Sequence, residues 1–192
     1  MAKLESNFKN MLLTLFVVSL CSSAAVGYVH EITREPMAAT ELERKIAAIQ
    51  KVVPSFDNNP LEEEYTISNE KKSFRCYPAR EGDRLVGTAI EAITNEGFGG
   101  RIKLMIGFLP EGAIYDITVI EHTETPGLGD KIDRKKSNFS TQFKNKNPAT
   151  FRLLVKKDGG DVDAITAATI SSRAFCGAVQ EAYDAYQQEG NQ

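Results

Sequence analysis

Apolar residues gather first near the amino terminus and later recur in short alternating runs. Between Lys9 and Glu31 no residue carries a full charge, and Met11–Val29 holds 14 apolar residues in 19. As a helix rising about 1.5 Å per residue, that stretch spans roughly 28 Å, close to the hydrocarbon thickness of a bilayer. Two readings fit it. One is a single transmembrane helix. The other is a secretory signal peptide, with Lys3 and Lys9 as its basic start, Met11–Leu20 as its apolar core, and Ala25 and Gly27 near a cleavage site. Cys21 is a poor lipid-bearing cysteine, because bulky Leu20 precedes it. Under either main reading, Lys3 and Lys9 precede the segment while Glu31 and Glu35 follow it. The positive-inside rule therefore puts Met1 in the cytoplasm and the residues after about 30 on the outer side.

Beyond that segment the period changes. Thr40 with Glu43 has the form of a capping box, and Leu42, Ile46, Ile49 and Val53 repeat at helical spacing up to Pro54. Asn58-Asn59-Pro60 and Glu62–Glu64 read as a polar connector. Extended segments are expected at Lys72–Tyr77, Leu85–Thr94, Ile102–Phe108 and Ile114–Glu121, parted by turns rich in glycine and polar residues. A basic, polar stretch from Lys131 to Asn147 carries Phe139 and Phe143 at the spacing of a short helix. Phe151–Lys156 reads as a final strand. From Thr169 to Tyr186 a helix is expected, with Phe175, Val179, Ala182 and Tyr186 on one stripe. The pattern predicts an α+β chain: one amino-terminal transmembrane helix, then a mostly antiparallel sheet domain with flanking helices. Its expected division is 1–30 for the cytoplasmic terminus and membrane helix, 31–60 for a helical linker, and 61–192 for the outer domain.

Composition narrows the function more than the fold. Of 192 residues, 42% are apolar and 26% charged, with a formal net charge of −3, so the chain is globular and lacks the basic excess of a nucleic-acid binder. Three cysteines are too few for a disulfide scaffold. In an oxidising compartment Cys76 and Cys176 are free to pair or to remain small buried hydrophobes. With two histidines and no cysteine pair at metal spacing, a zinc site is not expected.

Two segments carry candidate chemistry. His122–Gly129 reads His-Thr-Glu-Thr-Pro-Gly-Leu-Gly, in which Gly127 and Gly129 permit positive φ or a close backbone approach. Glu124 and Thr125 add an acceptor and a hydroxyl. Asp163–Ser172 reads Asp-Ala-Ile-Thr-Ala-Ala-Thr-Ile-Ser-Ser, with four hydroxyls where a turn hands over to a helix. A helix start offers unpaired N–H groups and the positive end of its dipole, a ready phosphate site, while Ala167 and Ala168 leave room beside the backbone. Taken singly, each segment also fits a plain alternative: a tight surface turn in the first case, N-capping by Thr166 or Thr169 in the second.

Together, in this order, the two segments resemble the FMN-binding domain of the RnfG and NqrC proteins of ion-pumping respiratory complexes. The signature D-x-x-[ST]-G-A-[ST]-x-[ST] stands here as Asp163–Ser171, the H-x-E-T-P-G-L-G loop is matched from His122 to Gly129, and Gly97-Phe-Gly-Gly100 before a strand is also similar. The resemblance covers essentially the whole chain and favours a retained membrane helix. It implies FMN held through a phosphoester to Thr169, with Glu124, Thr125, Leu128 and Gly129 along the isoalloxazine and Thr166, Ala167, Ala168, Ile170 and Ser171 around the phosphate and ribityl chain. It also implies a separate flavin transferase using FAD and magnesium, and other subunits of an Rnf complex. That complex would pass electrons between ferredoxin and NAD while moving Na⁺ or H⁺ across the inner membrane. An NqrC protein of the sodium-pumping NADH:quinone reductase, or a non-redox anchored binding module, are the other readings. Ala167 replaces the glycine usual in the signature, which is acceptable if its backbone is helical or extended and counts against flavin attachment if it is left-handed. Tolerance is expected, since every hydroxyl of the signature is retained.

Overall fold

In a computed structural model, which describes residues 7–68 and 72–190, the alternating segments pair in chain order. Met1 and Lys3, at the basic start, lie outside the described residues. Five strands, β1 (Tyr65–Ser68), β2 (Ser73–Glu81), β3 (Arg84–Thr94), β4 (Ile102–Phe108) and β5 (Ile114–His122), form one antiparallel meander in the order β1-β2-β3-β4-β5. Two long helices, α1 (Phe8–Val52) and α2 (Thr169–Gly190), complete the regular structure. The fold is α+β, as the pattern predicts. The chain divides into two compact units, Met1–Glu43 and Arg44–Gln192.

Most of α1 forms the first unit. Phe8–Arg34, 27 residues of mean hydropathy 2.0, is long and apolar enough to cross a membrane. Its large side chains, among them Leu12, Phe16, Leu20 and Val26, are exposed on every side. A helix apolar all round needs an apolar surrounding. No break precedes Thr40, contrary to the capping-box reading. The helix runs on through Pro36, and Thr40 Oγ1 donates to the Pro36 carbonyl one turn back at 2.8 Å. That hydroxyl is spent inside the helix rather than on a cap. The helix does end at Val52, just before Pro54.

In the second unit both faces of the sheet are covered, and β4 is buried at all seven positions. On one face Tyr77, Ala79, Ala89 and Met105 pack with Ala48, Ile49 and Val52 from the last turns of α1 and with Val53 just after it. Gly107 makes this possible, because the Val52 carbonyl occupies the space a Cβ would need. On the other face Cys76, Ile90, Leu104, Ile106 and Ile117 meet Phe175, Val179 and Ala182 of α2, the stripe expected of that helix. Each large apolar side chain among them, fully buried, contributes roughly 1.5–3 kcal/mol. Cys76 and Cys176 are free thiols in this same core, and burial pushes the pKa of Cys176 up to about 12.

One expected strand is absent. Phe151–Lys156 forms no ladder and makes a single bridge, Val155 to Val162. The segment folds back on itself instead: Asp161 N donates to the Arg152 carbonyl at 3.1 Å and Val162 N to the Leu154 carbonyl at 3.0 Å. Its alternation satisfies the core, with Leu153 and Val155 buried, without an adjoining strand. Phe139–Phe143 is the short helix that its spacing suggests, of the tighter 3-10 form. Phe139 and Phe143 each lie 5.2 Å from Phe175, ring centre to ring centre, which fixes this segment against α2.

Candidate functional site

The turn between β3 and β4 is a tight hairpin in which Gly97 and Gly100 exchange N–H···O bonds of 3.1 Å. Two residues remain at the tip, Phe98 and Gly99. Gly100 has φ +106°, which a side chain would strain. Phe98 is 68% exposed, an unusual state for so large an apolar ring. Thr123, just past β5, ties the hairpin down: its Oγ1 donates to the Gly99 carbonyl at 2.7 Å. Gly99 lies so close to the Thr123 backbone that no Cβ would fit.

The loop after β5 turns at Thr125-Pro126-Gly127-Leu128. Leu128 N donates to the Thr125 carbonyl at 3.2 Å, and Gly127 has φ +81°. Proline second and a positive-φ glycine third define a type II turn. Asp130 N reaches the same carbonyl at 3.3 Å, drawing Gly129 inward, where it is buried.

A second turn, Ile165–Ala168, leads into α2 and is closed by Ala168 N to the Ile165 carbonyl at 3.0 Å. Its third residue, Ala167, has φ +63°. Of the two cases open for Ala167, the backbone takes the left-handed one. The turn needs the left-handed region, which explains the glycine usual at this place and costs alanine about 1–2 kcal/mol. Neither Thr166 nor Thr169 caps α2. Ser172 does the closing, donating its hydroxyl to the Ala168 carbonyl at 3.0 Å and accepting Ile165 N at 2.9 Å. The first intrahelical bond runs from Ser172 N to the Ala168 carbonyl, so the N–H groups of Thr169, Ile170 and Ser171 lie ahead of it.

Glu124 joins these segments. Its carboxylate, 4% exposed, accepts the Ser171 hydroxyl at 2.6 Å through Oε2 and Gly99 N at 3.2 Å through Oε1. Gly97 and Gly129 press against it so closely that a methyl on either would collide with a carboxylate oxygen. Hairpin, loop and helix start are thus bolted through one buried carboxylate whose partners lie 25 and 47 residues away.

The residues singled out from sequence therefore divide in two. Glu124, Ser171, Gly129 and Ala168 face inward and build the junction. Thr166, Ala167, Leu128 and Ile170 are exposed or nearly so beside it, with Thr125 and Thr169 in the same region. Asp163 stands off the junction, its carboxylate on Lys156 at 2.7 Å. Two further residues, Phe98 and Asp130, are not evident from sequence. Phe98, like Leu128 and Ile170, is the immediate neighbour of a residue touching Glu124, and the three give the junction an exposed apolar rim. Asp130 Oδ1 is buried without a hydrogen-bond partner among the described residues. The glycines around Phe98 were the available signal; Asp130 had none, since its burial arises from the turn that draws in Gly129.

This junction falls within residues 97–184, which match the model of the FMN-binding domain family. The class is thus a flavin-binding domain, here behind an apolar helix. Similarity extends over nearly the whole chain. The G subunit of the ion-translocating oxidoreductase complex of Erwinia tasmaniensis is 34% identical over 176 residues, covering 87% of this chain and 84% of that protein. Its counterpart in Shewanella baltica is 35% identical over 181 residues, covering 89% and 84%. That of Vibrio cholerae is 32% identical over 189 residues, covering 94% and 90%. The chain belongs to this family, the G subunits of ion-translocating oxidoreductase complexes.

Proposed function

We propose that this chain is the single-pass, electron-carrying subunit of a membrane oxidoreductase that passes electrons between ferredoxin and NAD and couples them to Na⁺ or H⁺ translocation. Its carrier is FMN, linked by a phosphoester to Thr169, and residues 61–192 work on the outer side of the inner membrane. One observation carries the reading: Thr169 opens α2 with no side-chain cap among the described residues, held beside the 122–129 loop by the Ser171–Glu124 bond. The helix start offers N–H groups and a positive dipole to a phosphate.

The residues present fit the group. Phe98, Leu128 and Ile170 offer apolar surface to a flat ring system, and Asp130 Oδ1 offers an acceptor to a ribityl hydroxyl. When bound, FMN supplies the redox chemistry; the protein orients it and sets its surroundings. Glu124 would serve this indirectly, as the brace between the segments that would hold the group.

Thr169 Oγ1 has no hydrogen-bond partner among the described residues, and no histidine or carboxylate sits on it as a base. His122 Nδ1 is already engaged by Glu124 N at 3.2 Å. An unactivated hydroxyl is a weak nucleophile, so attachment falls to a separate flavin transferase. That step forms the Thr169 Oγ1–P bond and breaks the pyrophosphate bond of FAD. It releases AMP and the hydroxyl proton.

The full chain co-expressed with its transferase should give a fluorescent band after denaturing electrophoresis, and Thr169→Ala should abolish it. A chain that stays dark, or a Thr169→Ala variant that stays fluorescent, would remove Thr169 from the mechanism.

A further inference from the structure

β5 is an edge of the sheet, with β4 on one side only. Its first residue is covered: Ile114 exchanges backbone bonds with the 145–146 segment, 2.8 Å to the Lys146 carbonyl and 2.7 Å from Asn145 N. From Asp116 to His122 no backbone bond is made on the outer side among the described residues. One donor there is used locally, because Ile117 N reaches Asp116 Oδ1 at 2.9 Å. The remaining outward groups form an open strand edge, interrupted by one bulge at Ile120 where the register to β4 shifts. Natural proteins normally pair, cover or blunt such an edge.

This edge floors a slot of about 740 Å³. One wall is the last part of α1, with Arg44, Ala47, Ala48 and Lys51; the other is the turn at Asp133–Lys135. Arg44, Lys51 and Lys135 make no ion pair among the described residues. Asp116, an acidic lining residue, is already held by Arg134 at 2.7 Å and Lys144 at 3.5 Å. Asp133 Oδ1 accepts Lys135 N at 2.9 Å. Glu121 on the floor and Asp133 on the turn oppose Lys135, so the cationic excess lies on the helical wall, where Arg44 and Lys51 stand beside the small side chains of Ala47 and Ala48. Its floor is half-apolar through Ile117, Val119 and Ile120.

We propose that an extended, acidic segment of another protein of the complex lies in this slot and pairs with β5 as a sixth strand. Main-chain bonds to the open edge would supply affinity. Because successive strand side chains point to opposite faces, acidic residues at alternate positions would meet Arg44 and Lys51 on the helical wall. The proposal rests on the reading of the chain as part of a membrane complex and is independent of flavin attachment.

The test uses the full chain in its native membrane, with a photo-crosslinking amino acid at Ala47 or, separately, at Lys135. Both positions should link to one acidic, extended segment of a single other protein of the complex. Arg44→Glu with Lys51→Glu should lower the Lys135-position link about tenfold, while Arg44→Lys with Lys51→Arg should retain it. In-gel flavin fluorescence and the melting temperature of each variant show whether the domain has folded and loaded. Links to a second copy of this chain, to lipid alone, or to a basic or helical segment would overturn the proposal. So would a chain that co-purifies with other proteins of the complex yet links to none. A chain that co-purifies with none of them sinks the complex reading as well, whereas a linked but non-fluorescent chain sinks only the flavin reading.

Discussion

Glu124 is a carboxylate that sequence inspection would send to a ligand, yet it is enclosed by three glycines and a serine. Its value lies in its bonds to Ser171 and Gly99. Glu124→Ala would leave both donors unpaired, at a cost of roughly 2–3 kcal/mol. For a chain of this size that lowers Tm by on the order of 5–10 °C, measurable by scanning calorimetry of the detergent-extracted protein. Ala167 gives the opposite expectation. Glycine at φ +63° relieves strain but adds freedom to the unfolded chain, so Ala167→Gly should stabilise by roughly 0.5–1 kcal/mol and leave flavin attachment intact. Cys176 adds a pH dependence. Its folded value of about 12 lies above the usual 9.0, so the unfolded state loses its proton first. Above pH 9 the unfolded chain binds fewer protons than the folded one, and stability falls as pH rises through this window. Below it the contribution is fully present. A maleimide should accordingly leave Cys176 untouched in the folded protein and modify it after denaturation, as read by peptide mass.

At the scale of elements, the fold depends on the close seat of the α1 carboxy-terminal turns against β4. A charged cluster lies in that layer. Glu91, 4% exposed, has Arg75, Lys45 and Lys103 at 3.3, 3.4 and 3.5 Å. Removing Glu91 leaves the buried Lys103 and the partly buried Lys45 without that anion. Glu91→Ala should cost roughly 3–5 kcal/mol, checked by urea unfolding, while Glu91→Gln should fall between it and the unsubstituted chain. Strands β2 to β5 were legible because turn residues rich in glycine bound each run. Phe151–Lys156 alternates equally well and is no strand, because a two-residue period reports burial of one face rather than the presence of a neighbour to pair with. The capping box at Thr40 fails for a related reason. A cap motif acts only where a helix begins, and Thr40 lies deep inside α1, where the preceding turn already supplies a carbonyl for its hydroxyl.

For the whole molecule, the proposed orientation rests on charge around the apolar span and is open to a direct test. Cys76 and Cys176 are buried and Cys21 lies within the span, so a cysteine placed at Asp83 in the β2–β3 turn would be the one reactive thiol of residues 44–192. A membrane-impermeant maleimide should label Asp83→Cys in intact spheroplasts; labelling only after lysis would reverse the orientation. Local sequence was enough for the apolar span, four of the five strands of the meander, the α2 stripe and the two segments of the site, because periodicity, turn residues and helix starts are properties of neighbouring residues. β1 (Tyr65–Ser68) was not legible. It could not say that Glu124 and Ser171, 47 residues apart, share a hydrogen bond, that Phe98 borders them, or that β5 is left with an open edge. Those facts came only with the folded packing. They depend on which surfaces remain after every local element has found its partner, and no single segment carries that information.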